Sequence, residues 1–165
     1  MPALERVPPA PGQESVWDYP RPPSLAVTGR HVVVELGGQV IADTRRAFRV
    51  CETSHPPVYY VPRADVVDGV LRPSTGGSFC EWKGQATYWT AEAGDRVEPD
   101  AGWSYEAPSA RFAAMVGAVA FYPGRMDRCL VDGEVVRAQA GGFYGGWVTD
   151  EVVGPFKGEP GTMHW

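Results

Sequence analysis

Alternation of apolar and polar positions sets in at His31. In HVVVELGGQVIADT (31–44) two β-branched runs flank Gly37-Gly38, which predicts a β-hairpin. The second run continues as RRAFRVCET (45–53). A strand has a period of two, so Phe48, Val50 and Glu52 share one face while Ala47, Arg49 and Cys51 share the other. With Phe48 and Val50 turned to the core, Glu52 points inward at the strand's end. VYYVP (58–62) predicts a short strand stopped by Pro62, with Tyr59 and Tyr60 on opposite faces. ADVVDGVL (64–71) predicts one or two helical turns, weakened at Gly69. FCEWKGQATYWTAE (79–92) predicts a hairpin bent near Gly84. AMVGAVAFY (114–122), apolar on both faces, predicts a central strand. CLVDGEVVRA (129–138) predicts a further hairpin turning at Asp132-Gly133.

The ends read differently. Residues 1–24 form a proline-rich leader, expected to be disordered over 1–15, and its SVWDYPRPP (15–23) is biased to extended backbone. Trp17 and Tyr19 are expected to dock that stretch on the domain. The ending, GGFYGGWVTDEVVGPFKGEPGTMHW, holds too much glycine and proline for regular structure. Its five aromatics predict that it packs back onto the body. Between leader and end, neither a repeat nor a domain boundary interrupts 25–165. The 20 glycines and 16 prolines are scattered, which favours many short strands over a bundle. The expected fold is therefore a single all-β domain with minor α content, one short helix near 64–71.

Composition narrows the function. The chain has 165 residues and a net charge of −5, and its densest basic stretch is Arg45-Arg46 with Arg49. That argues against nucleic-acid and anionic-membrane partners, which need a clustered basic surface. No apolar run is long enough for a signal segment or a membrane span. Three widely spaced cysteines predict neither a disulfide framework nor a zinc site, and favour a reducing, cytoplasmic setting. GGFYGGW (141–147) lacks any phosphate-binding spacing, so no cofactor is expected.

The candidate chemistry centres on Glu52. A carboxylate in phase with an apolar face is costly to bury unless it is paired or at work. It is either an internal ion-pair partner of a cation such as Lys83 or a polar anchor inside a ligand pocket. Cys80 shares a face with Trp82, and only a turn near Gly84 would bring Lys83 round to it. His55, alone in SHPP, reads as turn punctuation. Trp103 and Tyr105 in GWSYEAP read as a loop, a common way to wall an apolar pocket.

Several of these stretches together, GGQVIADTRRAFRVCETSHPPVYYVPRADV, CEWKGQATYW, GWSYEAP and VAFYPG, resemble the uncharacterised family called domain of unknown function 427. The likeness extends through ESVWDYPRPP and AGGFYGGWVTD, covering nearly all of residues 14–165. It implies a β-tent-like fold, two antiparallel sheets packed at a steep angle. Relatives with that fold include zinc-anchored modules and a drug-binding domain that uses a tryptophan cage. This chain lacks the cysteine pairs of the zinc-bearing relatives. The resemblance implies no activity.

The resulting expectation is binding of a small organic molecule in an aromatic-lined pocket. Glu52 would be its anchor, Tyr60 and Lys83 hydrogen-bonding partners, Trp103 and Tyr105 a wall and Cys80 the floor. An enzyme with Glu52 as general base in the same pocket is the alternative. A protein-interaction module built on the leader or the glycine-rich end is a third reading.

Overall fold

The computed structural model describes residues 5–165, so residues 1–4 of the leader lie outside the described residues. Strand takes up 44% of the chain and helical turns 9%, which makes it all-β with minor helix. The leader carries β1 (Glu14–Ser15) and runs into β2 (Ser24–Val27). β3 (Val32–Leu36) and β4 (Gln39–Thr44) form the first hairpin, with both glycines of its turn at positive φ. β5 (Phe48–Cys51) and β6 (Val58–Tyr60) follow, then the long β7 (Leu71–Cys80), β8 (Gly84–Ala93) and β9 (Arg96–Ser104). β10 (Val119–Phe121), β11 (Arg128–Val131) and β12 (Glu134–Val135) complete the body. The C-terminal part adds only β13 (Arg137–Ala138), β14 (Trp147–Val148) and β15 (Val152–Val153).

Among the described residues three antiparallel sheets of three or four strands result, ordered β10-β9-β8-β7, β12-β11-β3-β4 and β2-β5-β6, beside the two-stranded antiparallel pair β13-β14. Val61 and Val119 exchange backbone hydrogen bonds of 2.7 and 2.8 Å, which continues the β2-β5-β6 sheet into β10. One face of this joined layer packs on the β3-β4 hairpin and β11. That core holds Val32, Val34, Leu36, Tyr59, Val61, Val119, Phe121 and Trp147. The other face carries a second apolar cluster, with Val50, Tyr60, Trp103, Tyr105, Phe112 and Ala120. The period-two rule explains the division: Tyr59 and Tyr60 enter different cores, as do Phe121 and Ala120.

Three local expectations change. The helical segment near 64–71 is a single 3-10 turn at Arg63–Asp65. Too short to nucleate an α-helix, it is held by the Asp65 carboxylate, which accepts hydrogen bonds from Thr44 Oγ1 and Arg46 at 2.7–2.9 Å. Val66 then bridges to Ala42, and Leu71 already opens β7. The apolar run 114–122 contributes strand only at Val119–Phe121. Ala110–Met115 is a 3-10 segment, and Gly117 interrupts the run at φ 74°. Trp103 lies in a strand rather than a loop, paired with Tyr88 of β8 and Ala120 of β10. A register shift against β8, with Asp100 at φ 51°, hides that strand from a period-two reading.

The leader lies on the body. β1 pairs in parallel with β15, Val7 N–H donates to the Gly154 carbonyl, and Trp17 Nε1 donates to the Pro155 carbonyl at 2.9 Å. Beneath it sits Arg49, only 9% exposed. Its guanidinium donates to Glu14 Oε1 at 2.6 Å and to the Tyr59 hydroxyl at 3.2 Å, while the Tyr19 hydroxyl donates to Glu14 at 2.8 Å. Burial opposes the Arg49 charge, but Glu14 and the neighbouring groups outweigh it and hold its pKa above the ordinary value. Burial alone would likewise raise the Glu14 carboxyl, yet hydrogen bonds from Arg49 and Tyr19 hold it below the usual range. Among the described residues no helix is long and apolar enough to cross a membrane.

A carboxyl whose folded pKa is depressed stabilises the fold above its unfolded pKa and loses that contribution as pH falls. Glu14→Gln is expected to lower stability at pH 7 by about 1 kcal/mol, a figure kept small by the exposure of Glu14. Urea unfolding should show the gap between wild type and variant beginning to close as pH falls past the unfolded carboxyl's pKa of about 4.3 and vanishing only below the depressed folded pKa.

Candidate functional site

The second apolar cluster opens into a cavity of about 370 Å³. Glu52, Tyr60, Cys80, Lys83, Trp103 and Tyr105 all border it. Val50 of β5 and Glu52, one residue past its end, reach it in the phase expected of them, and Tyr60 enters from the neighbouring β6. Trp103 Nε1 donates to the Tyr60 hydroxyl at 3.2 Å, and its ring packs 4.7 Å from that of Tyr122, centroid to centroid. Burial pushes the phenols of Tyr60, Tyr105 and Tyr122 above their ordinary value, so they stay protonated at neutral pH.

Lys83 arrives through the turn that joins β7 to β8. Residues 81–83 leave the ladder, and Gly84 takes φ 108°, a conformation a side chain would strain. Ser109 pins the turn, its N–H on the Lys83 carbonyl at 3.1 Å and its hydroxyl on the Trp82 carbonyl at 2.6 Å. The turn releases Lys83 from strand alternation. Its Nζ lies 5.7 Å from the ring centre of Tyr105 and 5.9 Å from that of Phe112, within cation–π reach.

Glu52 and Lys83 share the cavity without pairing. The Glu52 carboxylate instead lies 3.7 Å from Arg21 Nε, contributed by the leader, and 3.8 Å from His55 Nε2. Its side chain is 23% exposed. Both separations exceed hydrogen-bonding distance.

The cavity also gathers residues that the sequence pattern left aside. His55 is well buried, its ring 4.9 Å from that of Tyr144. Gln139 fixes its tautomer. The Gln139 Oε1 accepts the Gly146 N–H at 3.1 Å, and Nε2 donates to the Lys157 carbonyl at 2.6 Å. The same Nε2 faces His55 Nδ1 at 3.2 Å, so Nδ1 is the acceptor and the ring proton sits on Nε2, toward Glu52. Burial, then repulsion from Lys157, Arg21 and Lys83, pushes His55 down to about 4. It is neutral at pH 7.

Phe143, Tyr144 and Gly145 close the cavity from the C-terminal part, and Lys157 adds a second ammonium. Gly145 lies so close to Trp103 that an added Cβ would overlap the indole. The five aromatics of this stretch signalled that it packs back, but no local pattern marked Gln139 or His55, whose partners lie 84 residues apart. An adjoining recess of about 510 Å³ shares Ser78, Tyr88, Tyr122 and Phe143 with the cavity.

Fold and site thus define an all-β domain with an aromatic-walled cavity that carries charges of both signs. The family model described as a domain of unknown function (DUF427) matches residues 24–132, and the chain belongs to that family. The match is shorter than the motif likeness over 14–165. It contains Glu52, Tyr60, Cys80, Lys83, Trp103 and Tyr105 but stops before Gln139, Tyr144 and Lys157. A search of curated proteins finds no match.

A histidine whose folded pKa is depressed destabilises the fold as pH falls from its unfolded value, about 6.5, toward the folded one. Between pH 7 and 5 wild type should lose about 2 kcal/mol more stability than His55→Gln, read from urea melts at both pH values. Gly145→Ala should cost roughly 1–3 kcal/mol by forcing Trp103 from its seat. A shifted tryptophan emission maximum in the folded variant would accompany that loss.

Proposed function

We propose that the domain binds a small organic molecule in this cavity. One observation carries the reading. Aromatic rings of Tyr60, Trp82, Trp103 and Tyr105 converge with Glu52, Lys83 and His55 on one space of about 370 Å³, within the size range of small-molecule sites. Glu52 is the anchor for a ligand's hydrogen-bond donor, because its carboxylate accepts no hydrogen bond among the described residues and faces the cavity. The Trp82 ring, on the turn, forms an adaptable wall.

A second reading draws on the contact between Glu52 and the neutral His55 at 3.8 Å. An enzyme on this site would use Glu52 as general base, and Glu52→Gln would then abolish turnover while leaving affinity.

Binding is tested by a thermal-shift screen of a metabolite library on wild type, Glu52→Gln and Trp82→Ala. A ligand at 100 times its Kd adds about 2.7 kcal/mol, raising Tm by roughly 5–10 °C for a chain of this size. Hits are expected to shift wild type and to weaken in both variants. Equal shifts in all three proteins would place the ligand elsewhere and sink the reading.

A further inference from the structure

Two cations are buried in the described residues, Arg49 at 9% and Lys83 at 8% exposure. Their surroundings differ. Arg49 holds Glu14 at 2.6 Å and the hydroxyl of Tyr59 at 3.2 Å. Lys83 Nζ has no carboxylate within 4 Å and no hydrogen-bond acceptor among the described residues, only the faces of Tyr105 and Phe112. The Lys83 nitrogen keeps some accessible surface, but an ammonium largely withdrawn from water without a counter-charge is still costly. This one borders a cavity.

We propose that the cavity takes planar organic carboxylates, with the acidic group on the Lys83 ammonium and the apolar body against the aromatic wall. The proposal rests on the binding reading above and names its ligand class. The balance of charge around the cavity supports it. Of the two carboxylates bordering the space, Glu52 already faces Arg21 at 3.7 Å, and Glu81 is exposed on the turn. Lys157 also borders the space, donating to the Trp165 carbonyl at 3.3 Å. Neither ammonium has a side-chain carboxylate within 4 Å, so the uncompensated charge is positive, and Lys83 is the more buried of the two. A single ammonium with no arginine fork beside it suits one negative charge.

The mouth specifies the rest of the ligand. Phe79, 75% exposed at the tip of β7, and Phe143, 60% exposed on the C-terminal part, both border the opening. Exposed phenylalanines on two separate segments of one rim offer stacking surface to a planar body. Inorganic anions would gain nothing from them.

Cys80 supplies a reporter, since it also lines the cavity while Cys51 and Cys129 are buried. Its thiolate displaces iodide from iodoacetate, an anion, and from neutral iodoacetamide, so the ratio of the two rates reads the charge beside it. The ratio, followed by mass spectrometry, is expected to fall about five- to tenfold in Lys83→Met and to recover in Lys83→Arg. Naphthalene-2-carboxylate should protect Cys80 of wild type from iodoacetamide better than naphthalene-2-carboxamide, and Lys83→Met should abolish that preference.

A ratio unchanged by Lys83→Met overturns the assignment of the charge. Equal protection by the two probes keeps the cavity as a binding site but overturns its preference for anions. Protection by neither probe overturns both this proposal and the binding reading.

Discussion

The two backbone hydrogen bonds between Val61 and Val119 hold the architecture together. They join β6 to β10 and so convert two separate sheets into one continuous layer. Around the junction, successive residues then alternate between two cores. Tyr59 and Phe121 go to the core shared with the β3-β4 hairpin, while Tyr60, Ala120 and Trp103 go to the cavity side. Without the junction, Tyr60 and Trp103 would belong to different sheets, and their 3.2 Å hydrogen bond would have no scaffold.

The two faces handle charge in opposite ways. On the leader side, Arg49 is enclosed by Glu14, Tyr19 and Tyr59, and the network fastens the N-terminal segment to the body. A hydrogen-bonded ion pair with one buried partner specifies a geometry even where its net contribution to stability is modest. On the cavity side, Lys83 is left without such a shell, and Glu52 has only distant neighbours in Arg21 and His55. Groups whose polar needs the fold itself does not meet are suited to meeting those of a ligand.

The C-terminal part acts as a lining rather than a layer. Its strands are two residues long, yet Trp147 is fully buried and donates to the Phe121 carbonyl at 3.0 Å. That anchor places Gly145 against Trp103 and Tyr144 against His55. Glycine at 145 lets the backbone approach the indole face, which no residue with a Cβ could do without displacing it.

Much of this was readable from the chain alone. Period-two alternation determined the hairpins at Gly37-Gly38 and Asp132-Gly133, the opposed Tyr59 and Tyr60, and the inward phase of Glu52, because each depends only on strand geometry and local turn chemistry. The motifs determined the family. Local pattern was blind to whatever depends on contacts distant in sequence. The β9 strand around Trp103 is obscured by its register shift, and the Gln139–His55 pair spans 84 positions. Whether Glu52 meets Lys83 was likewise beyond it. Tertiary structure decided that the Gly84 turn, pinned by Ser109, swings Lys83 into the cavity while Arg21 of the leader lies nearer to Glu52. The physical reason is that a side chain's partner is set by which backbones come to lie within a few ångströms, and pattern along one chain carries no distance between its remote parts.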